Sequence, residues 1–363
     1  MPIITTNKIN IDEYRNKLKA AFLGRAAGCT LGAPVEGWSL GEMEEYAKKI
    51  GEKNYPLTDY WTKNPTPDNE RYIYETFNSY LKNSITRIPC DDDIGYTLLS
   101  LFIAEEGNGL SFTLNDVANA WKKYITIAYT AEQVALDNLK KGVPPEKAAE
   151  IDNPYDEWIG ADIRCDGYGY MAPCNPEKAG QMARTDALIS HRKNGVYGSV
   201  YFASVISLSF CLSDSKKALT EGLKYIPDDC ELADGIKWAL ENYDTVKNYR
   251  HAAEIVDTRY PDMNPVHTIN NACLTIFALA LGKNDIGRVV SEAVAMAHDC
   301  DCTAATAGSI AGACYGMDCL DKKWYSRFND KVGSYFNGEK EYKISDILQR
   351  YEKLAIQSGT IEI

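Results

Sequence analysis

The sequence has little that would place the protein in a membrane or on nucleic acid. No run of about 20 apolar residues, the length that crosses a bilayer, occurs in its 363 residues. The segment 1–17 also lacks the apolar stretch of a secretory signal, so we expect a cytoplasmic protein without a membrane partner. Basic residues number 39 against 51 acidic ones, and the net charge of −12 argues against nucleic acid as a partner.

The cysteines do not form a disulfide framework. They number eleven, an odd count, and they are scattered along the chain. Four of them lie in apolar helical patterns and are expected to be small core residues, namely Cys29, Cys211, Cys273 and Cys314. The odd number and the scattered positions of the cysteines indicate a reducing compartment. No linker rich in Pro, Ser or Gly divides the chain, so residues 1–363 are predicted to form one domain.

Helical periodicity is what the sequence does have. Apolar residues recur at three- and four-residue spacing in about a dozen segments, including one long segment over 114–142. Alternation typical of strands is scarce, and only the final GTIEI resembles a short strand. The predicted class is all-α, a single compact many-helix domain with a metal-lined cleft.

Three stretches interrupt the helical pattern and are predicted to be loops, namely 51–69, 152–176 and 257–265. The middle loop is rich in glycine and aromatic residues, as ligand-binding loops on helical scaffolds often are. Its Trp158, Tyr168 and Tyr170 would stack on a base, and its Arg164 would pair with a phosphate. A packed surface loop, in which Arg164 pairs with Asp162 or Asp166, is the alternative.

Two acidic clusters carry most of the chemical information. The first, Asp91-Asp92-Asp93, follows Pro89 and runs directly into apolar residues. Because Pro89 disfavours a helix before it and Asp91 is a good N-cap, a helix is predicted to begin at these carboxylates. The second cluster, Asp299 and Asp301, precedes a helix of small residues over 302–316.

Glycines recur at four-residue spacing in two segments: Gly24, Gly28 and Gly32, then Gly308, Gly312 and Gly316. This spacing lets another helix approach closely, and Arg25 argues against the membrane-spanning version of the motif. Close packing of helix backbones is predicted for both segments.

If the two acidic clusters meet, five carboxylates face one another. Each like-charge pair at about 4 Å costs roughly 4 kcal/mol at an effective dielectric near 20. Either the acids take up protons or two divalent cations bind, and oxygen ligands favour Mg²⁺, with Mn²⁺ or Ca²⁺ as alternatives. Zinc is less favoured, because in an extended segment Cys300 and Cys302 would point away from the aspartates.

Four segments together resemble the ADP-ribosylglycohydrolase family, which includes the dinitrogenase-reductase-activating glycohydrolases and the J1 crystallins. They are AFLGRAAGCTLGAPVE, CDDDIGYTLL, ARTDALISHRKNG and HDCDCTAATAGSIAGACYG, spread over residues 21–316. The resemblance implies an all-α domain with two Mg²⁺ ions at the bottom of a cleft. It also implies that the partner is a small ribosyl compound or an ADP-ribosylated protein.

The resemblance assigns roles by position. The metal ligands would be Asp91, Asp92, Asp93, Asp299, Asp301 and Cys302, with Asp91 and Cys302 standing where the family has Thr or Ser. The catalytic carboxylates would be Asp93 and Glu36. The candidate substrate-binding residues are Gly160, Arg164, Asp166, Tyr168 and His191. The family's diphosphate loop, Gly-Asn-Gly, is replaced here by EWIGADIR, so another ribosyl or nucleoside compound is an alternative to ADP-ribose.

The predicted function is metal-dependent hydrolysis of an N- or O-glycosidic bond to ribose in an ADP-ribosyl conjugate or a related nucleoside compound, with Asp93 or Glu36 as general base. One alternative is a catalytically silent ligand-binding or structural protein of the crystallin type. Another is a helical enzyme that processes diphosphates with Mg²⁺. That enzyme class is disfavoured because its Asp-Asp-x-x-Asp spacing is broken by Tyr96.

Overall fold

The structure, a computed structural model, describes residues 8–72 and 74–363, and most of this part of the chain is helical. The all-α prediction is confirmed. The α-helices are α1 Ile11–Gly32, α2 Leu40–Ile50, α3 Asp92–Glu106, α4 Leu114–Tyr124, α5 Thr130–Lys140, α6 Asp166–Met171, α7 Pro176–Ala187, α8 Lys193–Ser209, α9 Ser215–Gly222, α10 Glu231–Asn242, α11 Tyr249–Arg259, α12 Thr268–Gly282, α13 Ile286–Ala295, α14 Cys300–Tyr315 and α15 Ile344–Ile356. None of the described helices combines the length and hydrophobicity needed to span a bilayer.

The strands are short and pair in twos. They are β1 Ile9–Asn10, β2 Glu70–Tyr72, β3 Glu75–Thr76, β4 Lys331–Gly333, β5 Glu341–Lys343 and β6 Ile361–Glu362. β1 pairs with β6 in parallel, so the short strand predicted at the end of the sequence is confirmed. β2 pairs with β3, and β4 with β5, both antiparallel. The β2–β3 pair matters for function because it carries Arg71.

Helices α1 and α14 lie directly against each other along their small residues. A Cβ atom on Gly24 would lie 2.5 Å from the carbonyl oxygen of Gly308, and one on Gly32 would lie 2.5 Å from the Cα of Asp301. The predicted close backbone packing is therefore confirmed for these glycines. Gly316 differs, because it ends α14 with a φ of +74°, which favours glycine. The contact holds Asp301 against the end of α1.

The variant Gly28→Ala is expected to lower the free energy of unfolding by about 1–3 kcal/mol. The reason is that its Cβ atom would overlap the backbone of Ala304 on α14. Gly41→Ala on α2 is the control, because nothing lies within 4 Å of the added atom and alanine favours a helix. Urea unfolding followed by circular dichroism measures both variants. An unchanged midpoint for Gly28→Ala would contradict the backbone contact.

Two predictions about the elements are wrong. The segment 114–142 is not one helical run, because Ile125 takes up extended backbone, with ψ at 119°, and ends α4 before α5 begins. The stretch 152–176 is not an exposed loop, since it contains α6 and its residues 161–174 are all buried. Gly169 of α6 lies so close to Ile206 of α8 that a side chain there would overlap it. The glycines of this stretch serve packing.

Candidate metal centre

The first acidic cluster begins α3, as the sequence predicts. Asp91 is the N-cap, and its Oδ1 accepts a hydrogen bond from the backbone N–H of Asp93 at 3.3 Å. Asp91 and Asp93 are buried, whereas Asp92 is half-buried and lines a cleft. Burial disfavours the charged form and raises the pKa of both Asp91 and Asp93 well above the usual value for aspartate.

The second cluster begins α14, with Asp299 at the N-cap and Asp301 in the first turn. The segment is helical from Cys300. The sequence argument against zinc assumed an extended segment with alternating side chains, so it does not apply here. The Cys302 sulfur and one carboxylate oxygen each of Asp93 and Asp301 lie within 4.8 Å of one another. Burial raises the pKa of Asp299, and it raises the pKa of Asp301 to about 7.

The two helix starts meet in space, and Glu36 joins them. Glu36 follows the end of α1, where the chain turns over residues 33–35. One oxygen each of Glu36, Asp299 and Asp301 lie within 4.8 Å of one another. The acids that the sequence places far apart therefore form one cluster, in which Asp301 is shared between two possible groups of ligands.

Arg71 on β2 is the residue that sequence analysis missed. Its Nη1 donates to Oε2 of Glu36 at 2.6 Å, and its Nη2 donates to Oδ2 of Asp301 at 2.6 Å. The same Nη2 and the Nε donate to Oδ2 of Asp91 at 3.1 and 3.2 Å. Arg71 lies in a polar stretch without periodicity, so no local signal marks it. An indirect indication was that a cluster of buried acids needs a positive charge nearby.

Arg25 of α1 supplies a second buried positive charge. Its Nη2 donates to Oδ1 of Asp93 at 3.0 Å, and its Nη1 pairs with Oδ2 of Asp166 at 2.9 Å. All three side chains are fully buried. Its Nε also donates to Oγ1 of Thr97 at 2.7 Å. An arginine within an apolar helix must be paired, so the sequence did carry a signal for this contact.

Three carboxylate oxygens of the cluster have no hydrogen-bond partner among the described residues. They are Oδ2 of Asp93, Oδ1 of Asp299 and Oδ1 of Asp301. None of these residues is more than 6% exposed, and burying an unpaired carboxylate oxygen is costly. Hard divalent cations prefer such oxygens. The residues therefore fit a divalent cation held by Asp301 together either with Asp93 and Cys302 or with Glu36 and Asp299.

A cleft of about 420 Å³ reaches the acidic cluster. On the acidic side it is lined by Glu36, Arg71, Asp92, Asp299 and Cys302. Aromatic residues form much of the remaining wall, namely Tyr72, Phe77, Tyr96, Tyr129 and Trp158. These rings offer flat apolar faces to a planar group in the cleft. Trp158 is the one aromatic residue of the predicted ligand loop that lies here.

Of the predicted substrate-binding residues, Gly160 lines this cleft, whereas the others lie in the core. Arg164 pairs with Glu132 at 2.6 Å and with Asp186 at 2.8 Å, so neither a phosphate nor the expected Asp162 or Asp166 is its partner. Its positive charge is used to hold α5 and α7 together.

Three more residues predicted to contact the substrate are fully buried, namely Asp166, Tyr168 and His191. Asp166 is the buried partner of Arg25. Tyr168 and His191 are fully buried, and Nδ1 of His191 shares a hydrogen bond with Oγ of Ser190 at 2.8 Å. Burial lowers the pKa of His191 well below its usual value, so its ring is neutral. All three side chains therefore belong to the core.

Comparisons with known proteins agree with the fold. The family model described as ADP-ribosylglycohydrolase matches residues 10–355, which include both acidic helix starts. Among solved structures, a chain of an "ADP-ribosylglycohydrolase-related protein complex" is similar over 96% of this chain and 99% of that chain. The TM-score is 0.64 and the identity 17%, a likeness of fold. A comparison with curated proteins gives no match. Because the family model covers nearly the whole sequence, the chain belongs to the ADP-ribosylglycohydrolase family.

Proposed function

We propose that the protein is a hydrolase that cleaves an N- or O-glycosidic bond to ribose and depends on a divalent cation. Membership of the family supports glycohydrolase activity in general. One observation carries the specific proposal: buried carboxylate oxygens of Asp93, Asp299 and Asp301 lack partners beside a cleft with aromatic walls. Unpaired carboxylate oxygens on neighbouring residues beside a cleft are suited to hold a hard cation.

The ligands favour Mg²⁺, with Mn²⁺ or Ca²⁺ as alternatives, because the unpaired donors are carboxylate oxygens. When bound, the cation would supply a Lewis acid that holds ribose hydroxyls and lowers the pKa of a water molecule. Asp93 is fully buried, does not line the cleft and gives one oxygen to Arg25, so it is suited to be a ligand.

Glu36 is the carboxylate suited to act on the attacking water. It lines the cleft, and its side chain is 43% exposed, so it can reach both water and substrate. Arg71 orients it through the bond to Oε2 and leaves Oε1 for a proton transfer. A general base in such a position typically contributes about 10²–10⁴-fold to the rate.

The charges around the cleft favour a substrate without a diphosphate. Five acids line it, namely Glu36, Glu70, Asp92, Glu132 and Asp299. Among the described lining residues Arg71 is the one basic residue, and three carboxylates already bind it. Apart from a bound cation, a diphosphate would find no free positive charge among the described lining residues, whereas the aromatic walls accept a base. We therefore favour a nucleoside-type riboside over an ADP-ribosyl conjugate.

The test is the release of free ribosyl product from three substrates, each with Mg²⁺ and with a chelator. They are nucleosides, O-acetyl-ADP-ribose and an ADP-ribosylated peptide. We expect release that requires Mg²⁺ and that is fastest from nucleosides. No release from any of them with Mg²⁺ present would contradict the proposal. A silent, crystallin-type protein would instead show a ligand that raises the melting temperature without being consumed.

A further inference from the structure

The acids of the candidate metal centre converge on a guanidinium. Glu36, Asp91 and Asp301 come from three distant segments, and each gives one oxygen to Arg71, at 2.6, 3.1 and 2.6 Å. A divalent cation at the point where these three oxygens converge would lie about 2.0–2.6 Å from each of them. The guanidinium and such a cation therefore cannot occupy this position together.

Arg71 is built into this position. Its side chain is 9% exposed, and its guanidinium lies over the rings of Tyr72 at 5.4 Å and Tyr80 at 5.7 Å. Its backbone belongs to β2, which the pairing with β3 holds in place. A buried arginine that left its carboxylates would lose its charge partners inside the protein, which is costly. The position is therefore filled by the chain itself.

The unpaired oxygens define a second position, which Arg71 does not fill. Asp301 divides its two oxygens, since Oδ2 binds Arg71 whereas Oδ1 has no partner. Oδ2 of Asp93 and Oδ1 of Asp299 are unpaired in the same way. Ligand atoms of Asp93, Asp301 and Cys302 lie within 4.8 Å of one another, so the unpaired oxygens of Asp93 and Asp301 can anchor one cation whose other ligands are water or substrate.

We propose that Arg71 takes the place of one of the two divalent cations that the sequence predicts, so that the centre binds a single ion. This rests on the proposed function in one respect, namely that a divalent cation binds beside Asp299 and Asp301. The arginine supplies a fixed positive charge that cannot dissociate. The activity should therefore depend on one ion-binding step and not on two.

Counting bound Mn²⁺ tests the proposal. Titration followed by electron paramagnetic resonance of free Mn²⁺ gives the number of ions per chain, with calorimetry as a second measurement. We expect one ion in the wild type and two in Arg71→Ala, where Glu36, Asp91 and Asp301 become free to bind. Arg71→Lys is the matched control, because it keeps a positive charge and should still bind one ion. Circular dichroism reports whether each variant folds.

Two ions in the wild type would overturn the proposal, and so would a single ion in folded Arg71→Ala. If Arg71→Ala does not fold, the wild-type count decides. Hydrolysis measured on the same samples separates this proposal from the proposed function. Two ions with turnover would refute the single-ion centre alone, and one ion without turnover would refute the hydrolase alone. Absence of any bound Mn²⁺ would refute both.

Discussion

Arg25→Met is expected to lower the free energy of unfolding by about 3–5 kcal/mol, the usual effect of removing one partner from a buried ion pair. Asp93 and Asp166 are fully buried and would each lose the guanidinium. The carbonyl oxygen of Ile163, which accepts from Nη2 at 2.6 Å, would lose its donor as well. Methionine fills similar volume, so the loss would come from unpaired polar groups and not from a cavity.

Arg15→Met on the same helix is the matched control for this variant. Arg15 is 54% exposed and pairs with Glu352 at the surface, where an ion pair contributes about 0–1 kcal/mol. Urea unfolding of both variants, followed by circular dichroism, gives the comparison. A loss below about 1 kcal/mol in Arg25→Met, equal to that of Arg15→Met, would show that the buried acids do not need the arginine.

Asp301→Asn is expected to weaken Mn²⁺ or Mg²⁺ binding by more than about 100-fold, since loss of even an outer partner of a ligand costs roughly 10–100-fold. Asp301 belongs to two of the three groups of potential ligand atoms found among the described residues, and its Oδ1 has no partner. Ion-dependent turnover should fall with binding. The fold should be affected only modestly, because Arg71 keeps Glu36 and Asp91 as partners and one fewer carboxylate means less repulsion among the acids.

Calorimetric titration with Mg²⁺ and Mn²⁺ measures this effect, and thermal unfolding checks the fold. Asp262→Asn is the control, because Asp262 is exposed and lies outside the acidic cluster. An affinity equal to that of the wild type in Asp301→Asn would remove Asp301 from the ligands. A variant that fails to fold would contradict the argument that the acids repel one another.

Local features of the sequence predicted local features of the structure. Pro89 and Asp91 define the start of α3 because a proline and an N-cap act on the neighbouring backbone. The spacing of Gly24, Gly28 and Gly32 predicted a close helix contact, since a missing side chain has the same consequence whatever the partner is. The meeting of the two acidic clusters followed from the resemblance of both segments to one family.

The partners of Arg71 and Arg164 could not be predicted from the sequence in the same way. The partners of Arg71 lie in three distant segments, and nothing next to it in the sequence distinguishes it from a surface arginine. Arg164 was misplaced because glycine and aromatic residues suit a ligand loop and a densely packed layer equally well. What decides between the two is the buried acids Glu132 and Asp186, and no pattern near Arg164 indicates them.

The contact between α1 and α14 has a consequence for biosynthesis. Residues 24 and 308 touch through their backbones although α14 is synthesised long after α1. While the nascent chain is on the ribosome, the glycine face of α1 has nothing to cover it, and contacts of such long range form slowly. Helix α1 must therefore wait for α14, and chaperones that shield small apolar faces would act in that interval.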